Sequence, residues 1–299
     1  SIVFTPVSVV PSGGTITINT PFNYFAARAA SAPAGTSSIT CATACAGAAV
    51  GNVAVTNTAA SGSTAAFGSV TVVVATAATT ASAITLSLGI GTFTTGTPQA
   101  ATASGITVST TQDFASAGSA SQALGGQVTV GTSLTLVAGD LVGNKATAGE
   151  VSVVFTPVNA IPAGGTITIN TPFNYFASRA ASAAAGGSSI TCATTACVGA
   201  SVGHVSVVNT AGTSGAAGFG TVTVVVSGSA TTAGVATTLT LGATTLTTGA
   251  PQAQNPVGIT VSTTQDFASA AAASQSLGGQ VTIGQSLTLV AADRVGNKV

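Results

Sequence analysis

The sequence has very few charged side chains. Its 299 residues include five basic residues, five acidic residues and one His, and the formal net charge is zero. An ordinary soluble domain is about 25 % charged, and a surface with so little charge tends to associate. We therefore expect other subunits or glycans to cover much of it. The lack of a basic stripe also excludes binding to the phosphates of nucleic acid.

Long hydrophobic runs, Met and Trp are also missing. Apolar stretches such as residues 70–78 are short and broken by Thr, and none approaches the roughly 20 residues needed to span a bilayer. We therefore predict no membrane span. Because Ser1 opens directly in a strand-like run without a basic and apolar leader, we expect a mature or excised segment of a secreted chain.

Internal repetition is the main feature that is present. The sequence GGTITINTPFNYFA at residues 13–26 recurs unchanged at 164–177, and ITVSTTQDFAS at 106–116 recurs at 259–269. Both copies then reach the same four letters, VGNK. Self-similarity at this distance predicts two whole modules, residues 1–147 and 148–299, joined by a short linker and stacked end to end.

Within each copy, apolar residues alternate with Thr and Ser, as in Thr15-Ile16-Thr17-Ile18 and Val128-Thr129-Val130. This period of two is typical of half-buried strands, and Gly, Pro, Asn and Ser clusters separate the runs. We predict an all-β chain with about seven to nine strands per copy, arranged as two β-sandwiches in series. The Ala/Ser-rich stretches 26–34 and 115–124 are left open between a helical turn and an ordered loop.

A resemblance follows from the string F-T-P, then I/V-P-x-G-G-T-I-T-I, then P-F-x-Y-F, with its best matches at residues 4–21 and 155–172. It is similar to the opening of repeated immunoglobulin-like sandwich modules in secreted surface and matrix proteins of algae and other protists. Prokaryotic adhesins and surface filaments use similar Thr-rich β modules. The resemblance implies two tandem immunoglobulin-like β-sandwich modules and a structural role outside the cell, in a filament, sheath or surface layer.

Each copy has one pair of cysteines, Cys41 with Cys45 and Cys192 with Cys197. The spacing differs by one residue, which fits a local disulfide that closes a turn and indicates an oxidising, extracellular compartment. A metal or redox site is the rival hypothesis. Structural zinc needs four ligands, and only His204, which aligns with Asn52, could join the thiols. We therefore expect no cofactor.

Catalysis is not expected. The match to a nucleophile elbow at residues 199–203 contains Ser201, but the other copy has Ala49 at that position. With a single His in the chain, a Ser-His-acid or Cys-His site cannot be present in both copies. We predict that the protein is not an enzyme.

The acidic residues have structural interpretations. Asp113 and Asp266 follow a strand and are expected to bind turn amides, while Asp140 with Lys145, and Asp293 with Lys298, are expected to form an ion pair or an Asx turn. A weaker hypothesis places Ca²⁺ at the junction of the modules. Its oxygen ligands would come from Asp140, Asn144 and Glu150.

The remaining notable residues are two Arg and six aromatic side chains. Arg28 and Arg179 hold equivalent positions, and we predict a salt bridge within each module. The aromatics are predicted to pack in the core or between modules rather than to bind sugar, since no Trp is present. They are Phe22, Tyr24, Phe25, Phe173, Tyr175 and Phe176.

Exposed sheet edges are usually guarded by Lys, but the chain has only two. One hypothesis is that residues 2–10 or 151–158 complete a neighbouring module by strand addition and so form a homopolymer. The assembly strands would then include Ile2, Val3 and Phe4, with Val153, Val154 and Phe155 in the second copy.

Glycans are the other cover for such a surface. No Asn lies in an N-glycosylation sequon, so O-linked glycans on loops such as residues 77–82 are the expected kind. An extracellular polysaccharide is a further candidate partner. Adhesion or carbohydrate binding at the cell surface is the alternative function, and ice binding by Thr arrays is a less favoured one.

Overall fold

A computed structural model describes residues 1–43, 45, 47–193, 197–279 and 281–282. The fold is all-β, with several antiparallel sheets. Residues 1–124 form β1 (Ile2–Phe4), β2 (Thr15–Pro21), β3 (Arg28–Ser31), β4 (Ser38–Cys41), β5 (Ala49–Thr58), β6 (Phe67–Ala75), β7 (Ile84–Ser87) and β8 (Thr107–Thr110). The later strands are β9 (Thr129–Leu136), β10 (Val151–Thr156), β11 (Thr166–Pro172), β12 (Arg179–Ala183), β13 (Ser189–Cys192), β14 (Ala200–Thr210), β15 (Phe219–Gly228), β16 (Thr237–Leu241) and β17 (Thr260–Thr263).

The strands form because apolar residues stand at every second position. Along β2 and β6 the side chains alternate between buried and half-buried, so one face of each strand packs in the core and the other, with residues such as Thr17 and Ser69, is half-buried. The seven residues of β2 pair in unbroken register with β6, from Thr15 opposite Val73 to Pro21 opposite Phe67. The period of two therefore predicted the strands correctly.

The strands make four sheets, grouped in two pairs by their shared cores. The first sheet pair combines the order β1-β7-β4 with the order β3-β5-β6-β2-β8, and side chains from both sheets, such as Ile84 and Val72, lie in one hydrophobic cluster. The second sheet pair combines β13-β16-β10-β9 with β12-β14-β15-β11-β17, again around one cluster.

The two sheet pairs differ by one strand. In the second pair, β9 lies beside β10 at the edge of its sheet. The counterpart of β10 in the first pair is β1, which pairs with β7 and with no other described strand. The outer edge of β1 is therefore unpaired among the described strands, whereas the matching edge of β10 pairs with β9.

Two segments left open by the sequence have defined structures. Within residues 26–34, β3 pairs with β5, with Arg28 opposite Val55 and Ser31 opposite Val53 across a bulge. Residues 115–124 form a loop, held by bridges from Ser119 to Ile106 and from Leu124 to Gln99. Pairing with a neighbouring strand thus overrides the helix propensity of Ala in the first segment.

Candidate functional site

The predicted disulfides are present in the structure. Cys41 bonds to Cys45 at a Cα–Cα distance of 5.4 Å, and Cys192 bonds to Cys197 at 5.5 Å. Each bond joins the end of a strand, β4 or β13, to the loop that follows it. They close short loops, and the structure assigns them no other chemistry.

Two residues considered for catalysis and metal binding lie on the same strand. Ser201 and His204 are both exposed on β14. Among the described residues, no three His, Cys, Asp or Glu side chains are grouped closely enough to hold a metal ion.

The two Arg side chains bind backbone carbonyls in place of the predicted acidic partners. Arg28 donates to the carbonyl oxygens of Val53 at 2.9 Å and Ala32 at 2.7 Å. Arg179 donates in the same way to Val205 at 3.1 Å and Ala183 at 2.8 Å. The salt-bridge prediction is therefore replaced by another arrangement, in which a guanidinium group satisfies carbonyls at the bulge between two strands.

Asp140 lies in a short 3₁₀ turn, Ala138–Asp140, and its side chain is buried. It accepts hydrogen bonds from the amides of Ala148 and Gly149 at 2.9 and 2.8 Å, and it pairs with the ammonium of Lys145 at 3.0 Å. Burial raises the pKa of Asp140, but the two amides and Lys145 outweigh burial and hold the pKa below its ordinary value.

These contacts bear on the calcium hypothesis. The Asp140 oxygens that a cation would need are already taken by N–H donors, and Glu150 is exposed. The structure thus shows the expected ion pair between Asp140 and Lys145. The equivalent pair, Asp293 with Lys298, lies outside the described residues.

The most informative feature is the segment 126–149, which we call the bridging segment. Its residues up to 147 belong to the first copy of the repeat, but its apolar side chains lie in the core of the second sheet pair. Val128, Leu134 and Leu136 are 1, 2 and 5 % exposed and pack in the same cluster as Val151 and Phe155. The sequence repeat and the packed unit are therefore out of phase by about one strand.

Hydrogen bonds hold the start of the bridging segment. The amide of Gly126 donates to a carboxylate oxygen of Asp266 at 2.9 Å, and the carbonyl of Gly126 accepts from the amide of Phe267 at 2.9 Å. Val128 then donates to the carbonyl of Phe267 at 3.2 Å. The segment thus enters the second sheet pair through a short ladder of backbone bonds.

Hydrogen bonds also hold the rest of the bridging segment. The amide of Leu136 donates to the Gln275 side chain at 2.6 Å, and Asn144 donates to the carbonyl of Gly249 at 2.7 Å. Thr147 donates to the carbonyl of Leu246 at 3.0 Å. The second sheet pair therefore contacts the bridging segment along its length and not only through β9.

The first sheet pair has an open groove at the equivalent place. Its cavity volume is about 1230 Å³, and its lining includes Ile2, Phe4, Tyr24, Phe93 and Ile106. No described residue fills it. The groove has an apolar part and a polar rim that includes Asp113 and Gln122, and it lies against the free edge of β1. It is the candidate functional site.

Comparison of the two sheet pairs shows what the bridging segment covers. In the second pair, Tyr175, Phe176, Leu246 and Ile259 are at most 1 % exposed. Their counterparts in the first pair are only half-buried: Tyr24, Phe25, Phe93 and Ile106. Nearly the same side chains are thus sealed in one pair and left partly open to solvent in the other.

The acids at equivalent positions of the two copies, Asp113 and Asp266, also differ in burial. Both bind backbone amides, as predicted, but Asp266 is fully buried and accepts from the amide of Asn159 at 2.9 Å as well as from Gly126. Asp113 is half-buried and accepts from the amide of Ser8 at 3.1 Å. Asp113 thus lies at the open groove where Asp266 holds the bridging segment.

The strands proposed for assembly lie at this place in both sheet pairs. Val153 and Phe155 are buried within the second core, whereas Val3, in β1, is 66 % exposed. Sequence reasoning identified the edge but missed the strand that covers it. The signal was available, because residues 128–136 alternate as a strand and recur near the end of the chain.

Comparison of the chain with protein-family models, with curated proteins and with solved structures finds no match. No helix among the described residues has the length and apolar character to cross a lipid bilayer. Function must therefore be inferred from the groove and the bridging segment.

Proposed function

We propose that the protein is a structural subunit of an extracellular filament, sheath or surface layer. In this proposal each sheet pair is an immunoglobulin-like β-sandwich module, repeated in tandem. The observation that carries the proposal is the packing of residues 126–149, nearly all of which belong to one copy of the repeat and complete the core of the next. A strand of one repeat that pairs and packs in the next module joins the two repeats more firmly than a loose linker would.

The surface of the chain supports the same proposal. The chain has only ten formally charged side chains in 299 residues. Two of them, Asp140 and Asp266, are buried and so do not lie on the surface. Large apolar side chains such as Val3 and Phe114 are 66 and 95 % exposed around the groove. Exposed apolar side chains gathered around one groove favour association over a free monomer.

The two disulfides fit an extracellular location, because such bonds persist in oxidising compartments. O-linked glycans on Thr- and Ser-rich loops fit the same place and are a further proposed cover. Intact-mass measurement of protein from its natural source tests this point. A mass equal to that of the bare polypeptide would exclude the glycans.

Electron microscopy of protein purified without denaturant tests the proposed function. We expect regular fibres or sheets, with the disulfides intact. Single chains that stay monodisperse at high concentration would refute the proposal. Binding of such single chains to immobilised polysaccharide would instead support the alternative of adhesion or carbohydrate binding at the cell surface.

A further inference from the structure

We infer that the open groove of one chain binds residues 279–299 of a second copy, in the way that the second sheet pair holds residues 126–146. The inference names the joint of the assembly, and it rests on the proposed function in taking the partner to be another copy of this chain. Its physical basis is a comparison within one molecule, where the same kind of groove occurs once filled and once open.

The proposed occupant has nearly the sequence of the bridging segment. Residues 278–298 match residues 125–145 except at Ile283, Gln285, Ala292 and Arg294, which replace Val130, Thr132, Gly139 and Leu141. Of the positions that pack in the second core, the three most buried are kept, Val130 is replaced by another β-branched residue, and Leu141 is replaced by Arg294. Val281, Leu287 and Leu289 stand where the bridging segment has its three buried anchors, Val128, Leu134 and Leu136.

The groove also keeps the partners that the segment needs. Asp113 and Gln122 both line it, and they are the counterparts of Asp266 and Gln275, which accept the amides of Gly126 and Leu136. On the strand side, Ile2 and Phe4 of β1 replace Val153 and Phe155 of β10. No described strand pairs with the outer backbone edge of β1. An added strand could therefore form backbone hydrogen bonds with β1 and pack its apolar side chains against the groove.

The residues just before the segment are anchored in the second sheet pair of their own chain. Leu277 is 1 % exposed in the second core, and Gly278 donates to the carbonyl of Leu141 at 2.9 Å. Gly279 would be the first residue bound, as the counterpart of Gly126. Since one residue spans at most about 3.6 Å, the groove that binds Gly279 must lie directly beside Gly278. A second copy can be placed freely to meet this requirement, whereas the groove of the same chain is fixed by the fold.

The filled groove predicts the register of the joint. Thr156 of β10 lies opposite Thr129 of β9, so Thr5 of one copy should lie opposite Thr282 of the other. The variant Thr5→Cys, Thr282→Cys should then form disulfide-linked ladders between chains on mild oxidation, since two facing residues lie within the Cα distance that a disulfide allows.

Two matched variants control this cross-link. Thr129→Cys with Thr156→Cys should form the same bond within one chain and give no ladder. Thr5→Cys with Gln285→Cys shifts one partner by three residues, roughly 10 Å along a strand, and should not cross-link. Equal ladders from the shifted pair and the registered pair would overturn the predicted register and with it the inference.

Peptide binding tests the groove without relying on fibres. The receptor is the full chain carrying Leu287→Asp and Leu289→Asp, which keeps its groove and loses its own anchors. A synthetic peptide of residues 279–299 should bind it saturably, one per chain. Replacing both Leu by Ala in the peptide should weaken binding at least about 100-fold, because two buried side chains are lost. A peptide that does not bind would overturn the inference.

The same double Asp variant separates this inference from the proposed function. If it no longer forms the fibres or sheets that the unchanged chain forms, the joint is supported. If it still forms them, the assembly exists but uses another joint, and the inference is refuted while the function stands. If the unchanged chain forms none yet the peptide binds and the registered pair cross-links, the function fails and the inference stands.

Discussion

Leu134→Ala should destabilise the second sheet pair and leave the first unchanged. Leu134 is 2 % exposed and packs in the core that contains Val151 and Phe155. Truncation of a fully buried Leu to Ala lowers the free energy of unfolding by about 2–5 kcal/mol. Because β9 is an edge strand and can relax partly into the space left, we expect about 3 kcal/mol. For a unit of this size that corresponds to a fall of roughly 6–12 °C in melting temperature.

The two tyrosines allow the two sheet pairs to be followed separately. The chain has no Trp, and Tyr24 and Tyr175 lie in the first and second sheet pairs. In a Tyr24→Phe background, urea unfolding followed by tyrosine fluorescence reports the second pair, and in a Tyr175→Phe background it reports the first. Thr132→Ala, at an exposed position of the same strand, is the control and should change stability by less than about 0.5 kcal/mol.

The result distinguishes two boundaries for the folded units. If residues 126–149 packed with the repeat to which they belong in sequence, Leu134→Ala would shift the transition reported by Tyr24. A shift seen only by Tyr24, or a loss below about 1 kcal/mol in the transition reported by Tyr175, would refute the assignment of the bridging segment to the second core.

Two further predictions concern buried carboxylates. The pKa of Asp140 is held below its ordinary value. The stabilising contribution of its carboxylate is therefore complete above about pH 4 and is lost as the pH falls through the lower pKa of the folded state. Asp140→Asn should flatten this part of a plot of urea midpoint against pH, and an unchanged plot would contradict the prediction. Asp266→Asn should lower the free energy of unfolding of the second sheet pair by about 2–4 kcal/mol, because buried amide donors lose a charged acceptor. Asp113→Asn, at a half-buried position, should lower that of the first sheet pair by about 1 kcal/mol or less. Equal losses in the two urea transitions would argue against the difference in burial.

Local pattern predicted most of the fold. Alternation of apolar residues with Thr identified strands such as β2 and β6 because each is half-buried, with one face in the core. The cysteine pairs predicted local disulfides because their spacing allowed little else. The segment around Arg28 was harder, since Ala propensity favours a helix while the strand depends on pairing with β5.

The position of the folded unit within the repeat could not be read from the sequence. A tandem repeat looks the same from any starting point, so the alternation at residues 128–136 does not tell whether the strand closes its own module or the next. Packing decides, through the anchors Leu134 and Leu136 and the amide of Gly126 held by Asp266. The groove was missed for the same reason, because it exists only where that strand is lacking.

The way the few charges are used has a consequence for the surroundings the protein can tolerate. Arg28 and Arg179 bind carbonyl oxygens, and Asp140, Asp113 and Asp266 accept backbone amides. Apart from Lys145 with Asp140, no pair of opposite charges joins two described residues. Dissolved salt weakens attraction between exposed charges but strengthens the burial of apolar surface. A joint made of aliphatic side chains and backbone bonds should therefore hold at least as well in brine as in fresh water.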